Sequence, residues 1–214
     1  MKFQKGNYDY DNAEGKIGEG FCLEYLKSKY PKAFIFDVSD VRLFQLMDID
    51  FILGKTSQAA DFVRNFLNGD AQLSEDLDTI LKSDDIMTIE VKTDTRTCGL
   101  HPTGNIVFEV VSHRSPGTYN TRAHYVFYIC SKETDENTGV FDISNVYIID
   151  MWKLREWHFK NHASCHRTFT YDENIDLRFR VDRLVSDGVA KPLPEYIWFG
   201  WNYSTTEIKR NEKS

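Results

Sequence analysis

Apolar residues recur at helical spacing near the start of the chain: Ile17, Phe21 and Tyr25, with Cys22 and Leu26 beside them, make a wide stripe along one face. Asn12 can cap such a helix and Pro31 follows its end, so the pattern predicts a helix from Asn12 to Tyr30. A short apolar run, Ala33 to Phe36, comes next, then a strand from Leu46 to Leu53 that Gly54 closes. Residues 57–68 predict a helix with Ala60, Phe62, Val63, Phe66 and Leu67 as its apolar positions. From Gly69 to Asp85 the chain is acidic, with Asp70, Glu75, Asp76, Asp78, Asp84 and Asp85 against Lys82, and reads as a solvated excursion between strands. Three strands follow in series, Ile86–Thr93, Asn105–Ser112 and Tyr125–Cys130, and a fourth, Asn145–Ile149, runs into a helix from Met151 to Asn161.

Further on, Leu177–Leu184 reads as a strand. Pro192, Pro194 and the aromatic cluster Tyr196, Trp198, Phe199, Trp201 and Tyr203 read as a segment packed on the domain, and the polar tail from Thr205 as frayed. A helix, mostly strands, then another helix predicts an α/β domain with a mixed central sheet flanked by helices. Residues 1–150 form its core and residues 151–214 an extension packed on that core, as one domain overall.

Composition narrows the classes of protein. The 214 residues, 41% hydrophobic and 28% charged, have an ordinary globular balance, which excludes disordered and collagen-like chains. No apolar run approaches the roughly 18 residues of a membrane helix, and Met1 to Asn12 lacks an apolar signal core, so a cytoplasmic location is expected. Cys22, Cys98, Cys130 and Cys165 are widely spaced and read as free thiols. The net charge of −7 argues against coating nucleic acid by bulk charge, but leaves room for a local basic face.

The chemistry lies in polar residues set into strands that otherwise read as buried. Along Leu46–Leu53 a period of two puts Met47, Ile49, Phe51 and Leu53 on one face, and Asp48 and Asp50 on the other. Along Thr88–Asp94, Glu90, Lys92 and Asp94 share a face while Ile89 and Val91 point the other way. If the two strands are neighbours, several carboxylates and one ammonium meet in a small area, where partial burial sharpens their repulsion. A divalent cation relieves it, and an oxygen-rich donor set suits Mg²⁺ or Mn²⁺. Solvent-facing residues of a half-exposed sheet give the same pattern, so both readings stand at this point.

Asp50 followed by Glu90-Val91-Lys92 resembles the D…(D/E)-x-K signature of the PD-(D/E)XK nuclease superfamily, which includes restriction endonucleases and Holliday-junction resolvases. Gly15-x-x-Gly18-Glu19-x-x-Cys22-x-x-x-Leu26 is similar to the glutamate-bearing helix that precedes this core in many members. Phage and mobile-element members are similar also at Ile106-Val107-Phe108-Glu109 and Thr121-Arg122-Ala123-His124-Tyr125. The likeness spans residues 12–131; Ile49 stands where the family carries proline, and the stretch between Asp50 and Glu90 is longer than in compact members.

The resemblance implies a restriction endonuclease-like core and a Mg²⁺- or Mn²⁺-dependent hydrolase of DNA phosphodiesters. Asp50, Glu90 and the carbonyl of Val91 would hold the metal, and Lys92 would orient or activate the attacking water and stabilise the phosphorane-like transition state. Glu19 would reach in from the helix to a second cation or to the water. Asp48 is implied either as a further ligand or as a partner that orients Lys92. Duplex-cutting members often pair two active sites, so a homodimer is compatible with this picture. The alternatives are a catalytically inactive copy that binds nucleic acid or a protein partner, and an interaction domain built on the C-terminal aromatic cluster.

Other residues belong to the same picture. Glu109, mid-strand beside Val107 and Val111, either extends the acidic site or partners an arginine. Thr121 and Arg122, before a strand, are candidates for a phosphate oxygen. Lys153, Arg155, Lys160 and Arg167, with Arg96, Arg114 and Arg122, are candidates for a DNA-facing surface, and a solvated helix face is the plain alternative. His158, His162, Cys165 and His166, with Cys98 and His101, have the ligand types of a zinc site but no CxxC pair.

Overall fold

The computed structural model describes residues 8–69, 73–94, 103–112, 115–135, 140–169, 175–193 and 202–204. Helix α1 (Tyr8–Lys29) leads to β1 (Phe34–Asp37), the single turn α2 (Arg42–Gln45) and β2 (Phe51–Gly54). Helices α3 (Ser57–Leu67) and α4 (Leu73–Lys82) precede β3 (Ile86–Asp94), β4 (Asn105–Ser112) and the short β5 (Ser115–Pro116). Then come β6 (Tyr125–Asp135), β7 (Val140–Asp150), α5 (Met151–Asn161), β8 (His166–Phe169), β9 (Ile175–Arg180), α6 (Val181–Ser186), β10 (Ala190–Pro192) and β11 (Asn202–Ser204).

The central sheet is mixed, in the order β1-β2-β3-β6-β7-β10, with β11 also pairing on β7. Among the described residues only β3 and β6 run parallel; the neighbours on either side are antiparallel. A second sheet, β5-β4-β9-β8, is antiparallel throughout. Residues beyond 150 thus supply strands to both sheets, and no helix among the described residues is long and apolar enough to cross a membrane.

Alternation along β3 decides what each face packs against. Ile89 and Val91, with Phe51, Leu53, Phe127 and Ile129, join Phe21, Cys22, Tyr25 and Leu26 of α1 in one core. The opposite face carries two cores side by side. Ile52 and Ile86 pack with Phe44, Val63, Phe66 and Ile80 from α2, α3 and α4. Val126, Tyr128 and Ile149 pack with Phe108 and Phe179 of the second sheet and Leu154 and Trp157 of α5. Glu90 and Lys92 register with Val126 and Tyr128 on that same face, at the seam between these two cores.

Four expectations are corrected. Helix α1 begins before Asn12, which lies inside it. The acidic stretch is not all solvated: α4 buries Ile80 and packs Leu77 and Leu81 against the second core, while Asp78 is exposed. The strand read from Leu46 starts only at Phe51, because residues 46–48 are a turn in which Asp48 holds φ at 49°, a left-handed conformation that aspartate tolerates better than most residues. The strand read over Leu177–Leu184 is β9 followed by α6, with the switch at Val181. Of the C-terminal aromatics, Tyr196, Trp198, Phe199 and Trp201 lie outside the described residues, as do Arg96, Cys98, His101 and Arg114.

Candidate active site

Strand β3 outlasts its neighbour. Asp50 N–H donates to the Ile89 carbonyl at 2.9 Å and Phe51 pairs with Ile89, but the chain leaves the sheet on the N-terminal side of Asp50. Val91 N–H would therefore face an open edge. It donates instead to Asp50 Oδ2 at 2.8 Å, so the aspartate carboxylate replaces the missing strand. In a strand the N–H and C=O of one residue project to the same edge, so the Val91 carbonyl faces the Asp50 side too.

The Glu90 and Asp50 carboxyls lie close enough that each acts on the other's titration. Burial pushes the Asp50 carboxyl up to about 6, with the charges of Glu19 and Asp37 adding to the rise and the Val91 N–H opposing it. Glu90 is raised well above the usual carboxylate range, first by burial, then by Asp50 and Asp48, with Lys92 opposing. The two carboxyls share a confined site that does not accept two negative charges in water-poor surroundings.

Asp48 reaches this group from its turn. Burial raises it to about 6, the ammonium of Lys92 pulls it down, and Glu109 pushes it up. The charge of Lys92 thus acts on both Asp48 and Glu90. The turn is fixed from far along the chain: Thr121 Oγ1 lies 2.5 Å from the Asp48 carbonyl and 3.2 Å from that of Met47, and Arg122 N–H donates to Met47 O at 2.9 Å. Thr121 is 1% exposed and accepts from Ala123 N–H as well, so its hydroxyl is spent inside the protein and offers no surface to a phosphate.

Glu19 comes in from the other side of the sheet edge, its carboxylate 3.0 Å from Lys16 Nζ. Burial raises it, Lys16 lowers it, and Asp37 and Asp40 raise it further. Its neighbour makes the approach possible. A side chain at Gly18 would overlap Thr93 Oγ1 and press on Val91 and Ile129, so only glycine lets α1 lie this close to β3. Asp37, Asp40 and Lys16 were not among the candidate residues; the signal for Asp37 is an acid closing the apolar run Phe34–Phe36.

The remaining candidates separate from this group. Asp94 accepts from the Tyr128 hydroxyl, which itself accepts from Val107 N–H at 3.1 Å, and so ties β3 to the second sheet. Arg155 donates to the carbonyls of Tyr119 and Thr121, Lys153 sits 3.5 Å from Asp150, and Arg122 is exposed. His158 Nδ1 pairs with the Tyr119 hydroxyl at 2.7 Å, and His162 Nδ1 faces the Phe159 carbonyl, so these two rings are used locally. No zinc-type cluster forms among the described residues.

The donor set around Asp50 fits a hard dication. It offers carboxylate and carbonyl oxygens, and a cation there would relieve the repulsion between the Asp50 and Glu90 carboxylates. No three His, Cys, Asp or Glu side chains close into a ready cage among the described residues. Mg²⁺ does not need one, since it commonly keeps several waters and takes only one or two protein carboxylates. Comparisons with family models, curated proteins and solved structures find no significant match for this chain. The chemistry of the site is carried by its geometry.

Proposed function

We propose that this chain is a metal-dependent nuclease of the PD-(D/E)XK type that hydrolyses DNA phosphodiester bonds. The observation that carries the proposal is the Asp50–Glu90 carboxyl pair at the open edge of β3, with the Val91 N–H bound to Asp50 and Lys92 beyond. The order helix glutamate, aspartate just ahead of β2, strand Glu-x-Lys, and the mixed sheet that brings them to one edge, support a restriction endonuclease-like core.

Asp50, Glu90 and the Val91 carbonyl would hold Mg²⁺ or Mn²⁺, which when bound polarises a phosphoryl oxygen and makes water a better nucleophile. Lys92 supplies positive charge where the phosphoryl group gains negative charge. Asp48, beside Lys92 and raised to about 6, keeps that ammonium oriented and is placed to take a proton. Glu19 contributes acidic charge from the helix, and its release from Lys16 would free it for water or a second cation.

Purified protein should cleave DNA in Mg²⁺ or Mn²⁺ and not in EDTA. Asp50→Asn and Lys92→Ala, purified in parallel, should each lose at least about a hundredfold in rate. Cleavage that persists unchanged in both variants, or a folded wild-type protein that cleaves no nucleic acid in either metal, would defeat the proposal.

A further inference from the structure

Helix α5 buries Met151, Leu154 and Trp157, and on the opposite side it leaves Trp152 78% and Phe159 84% exposed. These two are seven residues apart, so they lie in line, two turns or about 10 Å from each other. Trp152 also lines an open cleft of about 530 Å³ together with Asp78, Lys82, Arg122, Asp150 and Arg155.

The charge of this region runs against that of the chain. Lys82, Arg122, Lys153, Arg155 and Lys160 face Asp78, Asp150 and Glu156. Each lysine is paired with one of the acids, Lys82–Asp78 at 2.8 Å, Lys153–Asp150 at 3.5 Å and Lys160–Glu156 at 2.6 Å, which leaves the two guanidinium groups in surplus. Arg155 turns inward to backbone carbonyls, while Arg122 is exposed and makes no ion pair among the described residues. A second copy of the chain would bring surplus positive charge to surplus positive charge. A phosphate backbone brings the opposite sign.

We infer that this face is a binding track for single-stranded nucleic acid, with unpaired bases stacking on Trp152 and Phe159 and a phosphate on Arg122. Flat aromatic rings beside a cation form a platform that every base can use, and only unpaired bases have free faces. The track leads to the carboxylates: Arg122 N–H bonds the Met47 carbonyl and its neighbour Thr121 bonds the Asp48 carbonyl, in the turn two residues ahead of Asp50. The inference rests on the nuclease reading for the direction of the strand, and it narrows the substrate to single-stranded DNA or an unpaired flap.

The test is fluorescence anisotropy in EDTA with a labelled oligothymidylate and a labelled duplex, using Asp50→Asn protein so that chemistry is absent. The oligonucleotide should bind more tightly than the duplex. Adding Trp152→Ala should weaken that binding roughly tenfold or more, and Trp152→Phe much less. Adding Arg122→Ala should lower the slope of log affinity against log salt by about 0.7. Unchanged binding with Trp152→Ala, equal or better duplex binding, or an effect of Trp152→Ala on self-association alone in sedimentation would overturn the inference. Cleavage by the wild-type protein is scored separately. If it cleaves nothing yet oligonucleotide binding follows Trp152, the chemistry fails and the track stands; if it cleaves while Trp152→Ala binds normally, the track alone fails.

Discussion

Replacing Asp50 by asparagine isolates the electrostatic cost of the site. In the metal-free protein the Asp50 carboxyl is held at about 6 against an ordinary 3.8, so its ionised form is disfavoured by about 3 kcal/mol relative to the unfolded chain. A carboxyl raised on folding contributes stability that is complete below its unfolded value and is lost as pH rises through the folded one. Asparagine keeps the shape, can accept the Val91 N–H and can donate to Glu90, but carries no charge. Asp50→Asn should therefore be more stable than the wild type at about pH 8 in EDTA, by up to about 3 kcal/mol. That corresponds to roughly 6–12 °C in Tm for a chain of this size. The difference should shrink as pH falls from about 6 towards about 4, and vanish below that, where both proteins are neutral at this position. Urea melts across pH, with and without Mg²⁺, measure it; added Mg²⁺ should stabilise the wild type and not the variant. An asparagine variant that is less stable at about pH 8, or an offset that does not change with pH, would show that burial does not disfavour the Asp50 carboxylate.

Gly18→Ala should cost about 1–3 kcal/mol, because its methyl group forces α1 off β3 at Thr93; adding Thr93→Ala should recover part of the lost Tm. Thr121→Val should leave the Asp48 carbonyl without its hydroxyl donor and Ala123 N–H without its acceptor, costing about 1–3 kcal/mol in urea melts and lowering DNA cleavage by disturbing the Asp48 turn. His124 accepts Thr88 N–H at Nδ1 and faces the Leu81 carbonyl with Nε2, so the neutral Nε2–H form is fixed and burial lowers its affinity for a proton. Nitrogen NMR should show that tautomer titrating below the ordinary imidazole value; its share of stability is present above the unfolded value and lost as pH falls through the folded one.

Strand β3 was legible because Ile89 and Val91 alternate with Glu90 and Lys92, and that alternation also sets the acids and the lysine on one face. The helix stripe of α1 was legible for the same reason, and Ile17, Phe21, Cys22, Tyr25 and Leu26 are all buried. Local pattern failed where a distant partner decides the backbone. Leu46 to Leu53 alternates like one strand, yet Thr121 captures the Asp48 carbonyl from 73 residues away and holds the first half as a turn. Asp48 still reaches the site, but from outside the strand rather than by sharing a face with Asp50. In α4 the density of acids masked Leu77, Ile80 and Leu81, which lie at helical spacing. Pattern identified β4 as a strand and could not tell that it joins the second sheet, since sheet membership depends on β9 about seventy residues further on.

The most direct measurement is anomalous diffraction from a crystal soaked in Mn²⁺. A peak is expected within ligand distance of an Asp50 oxygen, a Glu90 oxygen and the Val91 carbonyl, lost in Asp50→Asn. Mn²⁺ bound only elsewhere, with none at Asp50 and Glu90, would contradict it.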